Sequence, residues 1–268
     1  MASELAQAYV QILPTTKGIK SGLENAFDGE AQRSGANAGQ SFSSALGSTV
    51  KKLVVALGIG KIIASAFSEG AALQQSIGGI ETLFKDSADR VKEYANISYR
   101  TTGLSANAYM ENVTAFSASL ISSLGGDTAA AAELANTAMT DMSDNANKMG
   151  TNMESITQTY QSLARGNYAM LDNLELGYGG TKSEMQRLMK DAEKLTGEHY
   201  TVGDFGDTVK AIHAVQDSLG ITGTTAKEAA TTFSGSFNQM KAAAQDLLGS
   251  LAIGGDSTEK FRTLLDAV

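Results

Sequence analysis

Two histidines and the carboxylates near one of them are the residues best suited to acid–base chemistry. His199 lies in the run GEHYTVGD, close to Glu198 and Asp204. A carboxylate–imidazole pair there would orient a general base, but no hydroxyl or thiol is placed to complete a nucleophilic triad. Asp204 and Asp207 are three residues apart near a predicted helix start, where the helix dipole favours acids. Helix capping is therefore the favoured role for these two aspartates, over paired-carboxylate catalysis.

His213 has a different setting, because it lies one helical turn from Val209 on an apolar face, beside Ile212 and Val215. This setting favours a histidine held by local hydrogen bonds over a catalytic one. The sequence has 2 histidines and 0 cysteines, which excludes disulfides, thiolate nucleophiles, zinc ribbons and a multi-histidine metal centre. The sequence therefore predicts no catalytic, cofactor-binding or metal-binding residues.

The run Gly58-Ile-Gly60-Lys61 has the glycines and the lysine that can cradle a phosphate. A phosphate-binding loop needs the pattern G-x-x-x-x-G-K-[ST] between a strand and a helix. Here Val55 stands at the first glycine position, and Ile62 replaces the hydroxyl residue. The flanking residues have a helical pattern, so we do not assign a nucleotide site.

The elements that would position these residues are predicted to be helices. Only 1 proline, Pro14, occurs in 268 residues, and proline is the residue that breaks helix interiors. Apolar residues recur at intervals of three and four, as one face of a helix requires. The predicted faces are Ile80, Phe84, Val91, Tyr94 and Ser98; Tyr109, Val113, Phe116, Leu120, Ile121 and Leu124; Leu134, Ala138, Met142, Asn145 and Met149; Met153, Ile156, Tyr160 and Leu163; Met185, Leu188, Met189, Ala192 and Leu195; and Phe261, Leu264, Leu265 and Val268.

Capping patterns and glycines mark where these helices begin and end. Four runs have the spacing of a capping box, in which a hydroxyl or carboxylate residue is followed three positions later by glutamate. They are Thr151–Glu154, Thr181–Glu184, Thr225–Glu228 and Asp256–Glu259, and Asp127 is a further expected cap. Glycine stops at Gly103, Gly125-Gly126, Gly150 and Gly179-Gly180 cut the helical sequence into segments. We predict an all-α fold of antiparallel helical segments that fold back on one another.

The composition divides the chain into four regions. Residues 1–50 are irregular or marginally helical, with a possible strand at 9–13 and a Gly/Ser/Ala-rich stretch after it. Residues 51–79 hold an apolar helix and a connector, 80–250 a helical domain, and 251–268 the start of a further helix. That last helix ends in mid-pattern, so the chain is either a fragment or has a helix that ends abruptly. The apolar run Leu53–Phe67 has Lys61 within it and is shorter than the ~20 residues that span a bilayer.

The net charge and the methionine content indicate which kinds of binding partner the chain could have. The net charge is −8, with +2 in residues 1–67 and −10 in the remainder, which argues against binding DNA through its phosphates. Seven of the 10 methionines lie between Met139 and Met189. Methionine suits adaptable interfaces, but their positions on apolar faces favour an ordinary helical core.

Several long runs resemble tail tape measure proteins of long-tailed phages and prophages, particularly those of Gram-positive hosts. The most specific is YQSLARGNYAMLDNLELGYGGTKSEMQRLMKDAEKLTG at 160–197. The run at 8–27 is similar to the opening of these proteins. Three further runs, at 102–128, 138–156 and 219–236, are similar to their central block. The resemblance covers most of the chain.

The resemblance implies a structural protein that fills the tail lumen, sets tail length during tube assembly and leaves with the genome on ejection. The implied partners are the tail tube protein, tail assembly chaperones and tail terminal or tip proteins, with self-association in the lumen also possible. No cofactor, no active site in this region and no specific nucleic-acid binding are implied. Synthesis in the host cytoplasm without a signal peptide is expected. Two alternatives stay open: a membrane-active ejection protein that uses Leu53–Phe67, and a cell-wall-degrading enzyme.

Overall fold

The computed structural model of the protein describes residues 62–231, 233–253 and 257–266. Within those residues every regular element is a helix and no strand occurs, which confirms the predicted all-α, multi-helix fold. The chain divides into two compact units, residues 1–65 with 268, and residues 66–267. The fold described below is that of the second unit. The possible strand at 9–13 and the irregular stretch to residue 50 lie outside the described residues.

The helices follow one another with short connections. They are α1 (Ile62–Phe84), α2 (Ala88–Thr101), α3 (Ala106–Ser123), α4 (Thr128–Met149), α5 (Met153–Ala164), α6 (Lys182–Thr196), α7 (Phe205–Ser218), α8 (Thr224–Thr231), α9 (Phe233–Ala252) and α10 (Ser257–Asp266). Short 3-10 turns lie at Lys85–Ser87 and Leu171–Leu174. The boundary that composition placed between residues 79 and 80 falls inside α1, and the one between 250 and 251 falls inside α9.

Side-chain caps start three of the helices where the sequence predicted. The Asp127 carboxylate accepts from the Ala129 and Ala130 amides at 3.0 and 2.9 Å, and so begins α4. Thr181 accepts from the third amide of α6 at 3.2 Å, and Asp204 accepts from the third amide of α7 at 2.9 Å. Each cap satisfies an amide that the first helical turn leaves unpaired.

Two of the predicted capping boxes are wrong in position. The cap of α5 is Asn152, whose side chain accepts from the Glu154 amide at 2.7 Å, while the Thr151 hydroxyl is buried without a hydrogen-bond partner. Thr225 lies inside α8, because that helix already begins at Thr224. Both runs contain several residues able to cap, and spacing alone cannot choose among neighbours. The fourth box is consistent with α10 beginning at Ser257, although Asp256 itself is outside the described residues.

Glycines end the helices as predicted at several positions. Gly150 follows α4 in the left-handed conformation at φ 75°, which a residue without a Cβ adopts at low cost. Gly125 and Gly126 also have positive φ angles after α3. Gly180 is required for a different reason, because a Cβ on it would lie 2.3 Å from the Ala169 carbonyl oxygen. The backbone of the YGGT run therefore passes directly against the preceding loop.

One contiguous core joins the helices from α1 to α7. Residues of the predicted faces between Ile80 and Ala192 supply much of it. The largest fully buried side chains include Tyr109, Tyr160, Phe84, Phe116, Ile80, Leu120, Met139, Met142 and Ile156. Leu195 is an exception, since it is 53% exposed although it continues the α6 face. The helix predicted from residue 80 to Gly103 is also interrupted, by the 3-10 turn at Lys85–Ser87.

Helix α4 is central in this arrangement. It packs against α2, α3, α5, α7 and α8. Because other helices surround it, residues on more than one side of α4 are removed from water. The hydrogen-bond partners of its buried polar residues therefore determine how the surrounding helices are attached to α4.

Candidate functional site

A buried polar face on α4 is the main concentration of ionisable chemistry in the described residues. Asp141, Asp144 and Asn145 are spaced i, i+3 and i+4, so they share one face of the helix. All three are at most 1% exposed. Buried carboxylates are costly unless they are paired or hydrogen-bonded, so their partners determine what this face does.

Asp141 is paired with His213 of α7. The His213 Nδ1 donates to both carboxylate oxygens, at 2.9 Å to Oδ1 and 3.0 Å to Oδ2. Burial raises the pKa of Asp141 to about 6, although the hydrogen bond from His213 opposes that rise. The same hydrogen bond raises the pKa of His213 above its ordinary 6.5, against the opposing effect of burial. The pair therefore holds a proton more tightly in the folded protein than its members do in the unfolded chain.

This geometry corrects the expectation of a local partner for His213. Its partner is 72 residues away in sequence. The histidine is held structurally, as expected, but it is held by α4 and not by its own helix. Helical periodicity placed His213 on the correct face, and only the packing of α7 on α4 supplied the carboxylate.

Asp144 serves a different helix. Its Oδ2 accepts from the Gly223 amide at 2.6 Å, and its Oδ1 accepts from the Thr225 amide at 2.8 Å. The carboxylate on α4 thus caps the start of the adjacent helix α8. Next to it, the Asn145 side chain donates to the Leu174 carbonyl at 2.8 Å and fastens the 3-10 turn at Leu171–Leu174.

Two further buried polar groups lie on helices that pack against α4. Tyr160 of α5 is fully buried, and its hydroxyl has no hydrogen-bond partner. Burial raises the pKa of Tyr160 well above 10, with a further contribution from the Asp141 charge. The side-chain oxygen of Gln216 (Oε1) on α7 is likewise buried without a partner. We name Asp141, Asp144, Asn145, Tyr160 and His213 the α4 polar cluster.

The α4 polar cluster can orient an imidazole and retain a proton, and it fastens α7 and α8 to α4. An imidazole oriented by a carboxylate is also the base of many hydrolases, where the second ring nitrogen contacts a hydroxyl or thiol nucleophile. In the described part of the chain, no such group is hydrogen-bonded to the His213 ring. Across the same residues, no group of three or more metal-binding side chains comes together.

The structure places the other candidate residues apart from this cluster. The Nδ1 of His199 lies 2.6 Å from the Glu193 Oε1, so its partner is neither Glu198 nor Asp204, and the histidine side chain is 84% exposed. Asp204 caps α7, and Asp207 accepts from the Thr201 amide at 2.9 Å. Both aspartates thus hydrogen-bond to backbone amides around the start of α7, as expected.

The remaining sequence candidates lie partly or wholly outside the described residues. Gly58, Gly60 and Lys61 are among those not described, as are residues 53–61 of the apolar run. Among the helices that are described, none is long and apolar enough to cross a membrane. The methionines between Met139 and Met189 contribute mainly to the core, as favoured above: Met139, Met142, Met185 and Met189 are buried.

Sequence reasoning missed Asp141 and Asp144 as site residues. One pattern could have identified them: two acids three residues apart beside Met142, which belongs to a predicted buried face. An acid on such a face requires a partner from another element. Comparisons of this chain with protein-family models, curated proteins and solved structures give no match.

Proposed function

We propose that this chain is the N-terminal part of a tail tape measure protein of a long-tailed phage or prophage. In this proposal the protein occupies the tail lumen, fixes tail length during tube assembly and is released with the genome. The observation that carries the proposal is the series of long runs that resemble this family, of which residues 160–197 are the most specific.

The positions of those runs in the fold support the proposal, because their distinctive residues have structural tasks. In 160–197, Leu171 and Leu174 of the LDNL run are buried in the core. In the YGGT run, Tyr178 stacks under Arg187, with the guanidinium carbon 4.4 Å from the ring centroid, and Gly180 allows a close backbone approach. Residues with such tasks tolerate few replacements, so a similar run implies a similar local fold.

The compact packing of residues 66–267 bears on how this region acts. As one helix, these about 200 residues would extend ~300 Å, since an α-helix rises ~1.5 Å per residue. Among the described helices that lie wholly within these residues, the longest is α4, which has 22 residues and so extends only ~33 Å. We infer that residues 66–267 form a folded domain, here called the folded head, that contacts tube, chaperone or terminal proteins. Tail length is then measured by other parts of the protein.

Electron microscopy of virions tests the proposal. The complete gene is deleted from the phage or prophage and supplied in trans, either unmodified or without codons 66–267. Without the gene we expect no tails, or tails of uncontrolled length. With the shortened gene we expect failed assembly, or tails shortened by much less than ~300 Å. Normal tails in the absence of the gene would refute the tape measure function, and shortening by ~300 Å would refute the folded-head assignment.

A further inference from the structure

The last three helices differ from the rest of the domain in how they are attached. The contiguous core runs from Ile80 to Ile221. Among the side chains that the structure describes after Ile221, the buried apolar ones lie outside that core: Ala242, Ala243 and Leu247 of α9 and Leu264 of α10. We name the described residues 224–231, 233–253 and 257–266 the strap, and residues 70–221 the body.

Within the strap the helices pack on one another, since α9 contacts both α8 and α10. Small residues form much of the described contact side of α9. They include Ala242, Ala243, Gly249 and Ser250, all buried. Gly249 lies against α1, where an added Cβ would be 3.1 Å from the Leu73 Cδ2. Small side chains allow close approach but bury little apolar area each, so this contact contributes less free energy than the body core.

A buried carboxylate fastens the far part of the strap. Asp246 of α9 is 5% exposed, and its Oδ1 accepts from the Ala106 amide at 2.6 Å. Ala106 is the first residue of α3, so Asp246 supplies a cap to a helix 140 residues away in sequence. At the surface, Lys260 of α10 donates to the Asn96 side-chain oxygen at 2.7 Å.

The N-terminal end of the strap is held to the body by other contacts, at residues 220–225. Gly220 and Gly223, at φ 65° and 82°, flank Ile221, whose side chain is buried in the body core. The Asp144 carboxylate accepts from the amides of Gly223 and Thr225 at this same point. Two left-handed glycines beside an anchored residue make a natural hinge, because glycine adopts the required φ angles without strain.

From these observations we propose that the strap undocks from the body as one unit, turning about Gly220–Gly223, with Asp246 as the latch. Undocking uncovers the sides of α2 and α3 on which α9 packs, the sides of α2 and α4 on which α8 packs, and the first amide of α3. It also breaks the hydrogen bond from the Thr225 amide to Asp144. The body stays folded, because its core includes none of the buried apolar side chains that the structure describes in the strap. The proposal does not depend on the proposed function.

Hydrogen exchange measured by mass spectrometry on the full chain tests this proposal. In the unmodified protein we expect α9 amides to exchange faster than those of α4 and α5. In Asp246→Ala we expect about tenfold faster exchange in the strap, the usual scale for loss of a buried cap, with α4 and α5 unchanged. Asp127→Ala is the matched control, since it removes a cap within the body and should leave strap exchange unchanged.

Two results would overturn the proposal. One is that the amides of α9 exchange at the same rate as those of α4 and α5 in the unmodified chain, which would mean that strap and body open together. The other is equal acceleration of strap and body by Asp246→Ala. If that variant does not fold, Asp246→Asn keeps an acceptor oxygen without the charge, and the same comparison of strap with body decides.

Discussion

Replacement of His213 by alanine would test the energetic role of the α4 polar cluster. The change removes the only side chain that donates a hydrogen bond to the Asp141 carboxylate within the described residues. Removing one member of a buried ion pair costs about 3–5 kcal/mol, because the remaining charge loses its partner. The His213 side chain is 40% exposed, so we expect the lower end, about 3 kcal/mol. For a domain of this size that corresponds to a fall in melting temperature of roughly 6–12 °C.

The directions of the His213 and Asp141 pKa shifts determine how stability changes with pH. The folded-state pKa of His213 is raised above 6.5, so its contribution to stability is complete below pH 6.5 and is lost as the pH rises through the folded value. The folded-state pKa of Asp141 is raised from 3.8 to about 6, so folding also becomes less favourable as the pH rises across that interval. Both groups make the free energy of unfolding fall as the pH increases from about 4 to above 6.5.

Thermal and urea unfolding, followed by circular dichroism between pH 5 and 9, measures both effects. His213→Ala should be destabilised and should lose the part of the pH dependence above 6.5. Asp141→Asn should flatten the profile, because the buried carboxylate is gone. His199→Ala is the matched control, since that imidazole is 84% exposed, and its stability should match the unmodified chain. Equal stability of the two histidine variants, or an unchanged pH profile in His213→Ala, would refute the assigned pairing.

Three other predictions, which use five substitutions, concern local packing, a helix cap and a buried hydroxyl, and the same unfolding measurements test them. Gly180→Ala should cost about 1–3 kcal/mol through overpacking against the backbone, whereas Gly179→Ala, with its nearest contact at 3.5 Å, should cost less; equal costs would contradict the close approach. Asn152→Ala should cost about 1 kcal/mol and Thr151→Ala much less, and the reverse order would restore the cap predicted from sequence. Tyr160→Phe should be neutral or raise the melting temperature, because its buried hydroxyl has no partner; a clear loss of stability would reveal one.

Local signals predicted most of the helical architecture. The caps at Asp127, Thr181 and Asp204 and the stop at Gly150 depend on hydrogen bonds and φ angles within a few residues. Local chemistry decides such features, so a sequence pattern is sufficient to find them. The buried faces were predictable for a related reason, since a period of 3.6 residues fixes which side chains point the same way.

The tertiary structure decided where the polar residues find partners. Asp141, Asp144 and Asp246 bind groups 72, 79 and 140 residues away, and no spacing rule connects such positions. Leu195 continues the apolar face of α6 in sequence, yet it is 53% exposed. The sequence by itself thus determined that this protein is a series of capped helices. Which helix pairs with which carboxylate depended on packing, because a buried charge is satisfied only by the groups that the whole fold brings within hydrogen-bond distance.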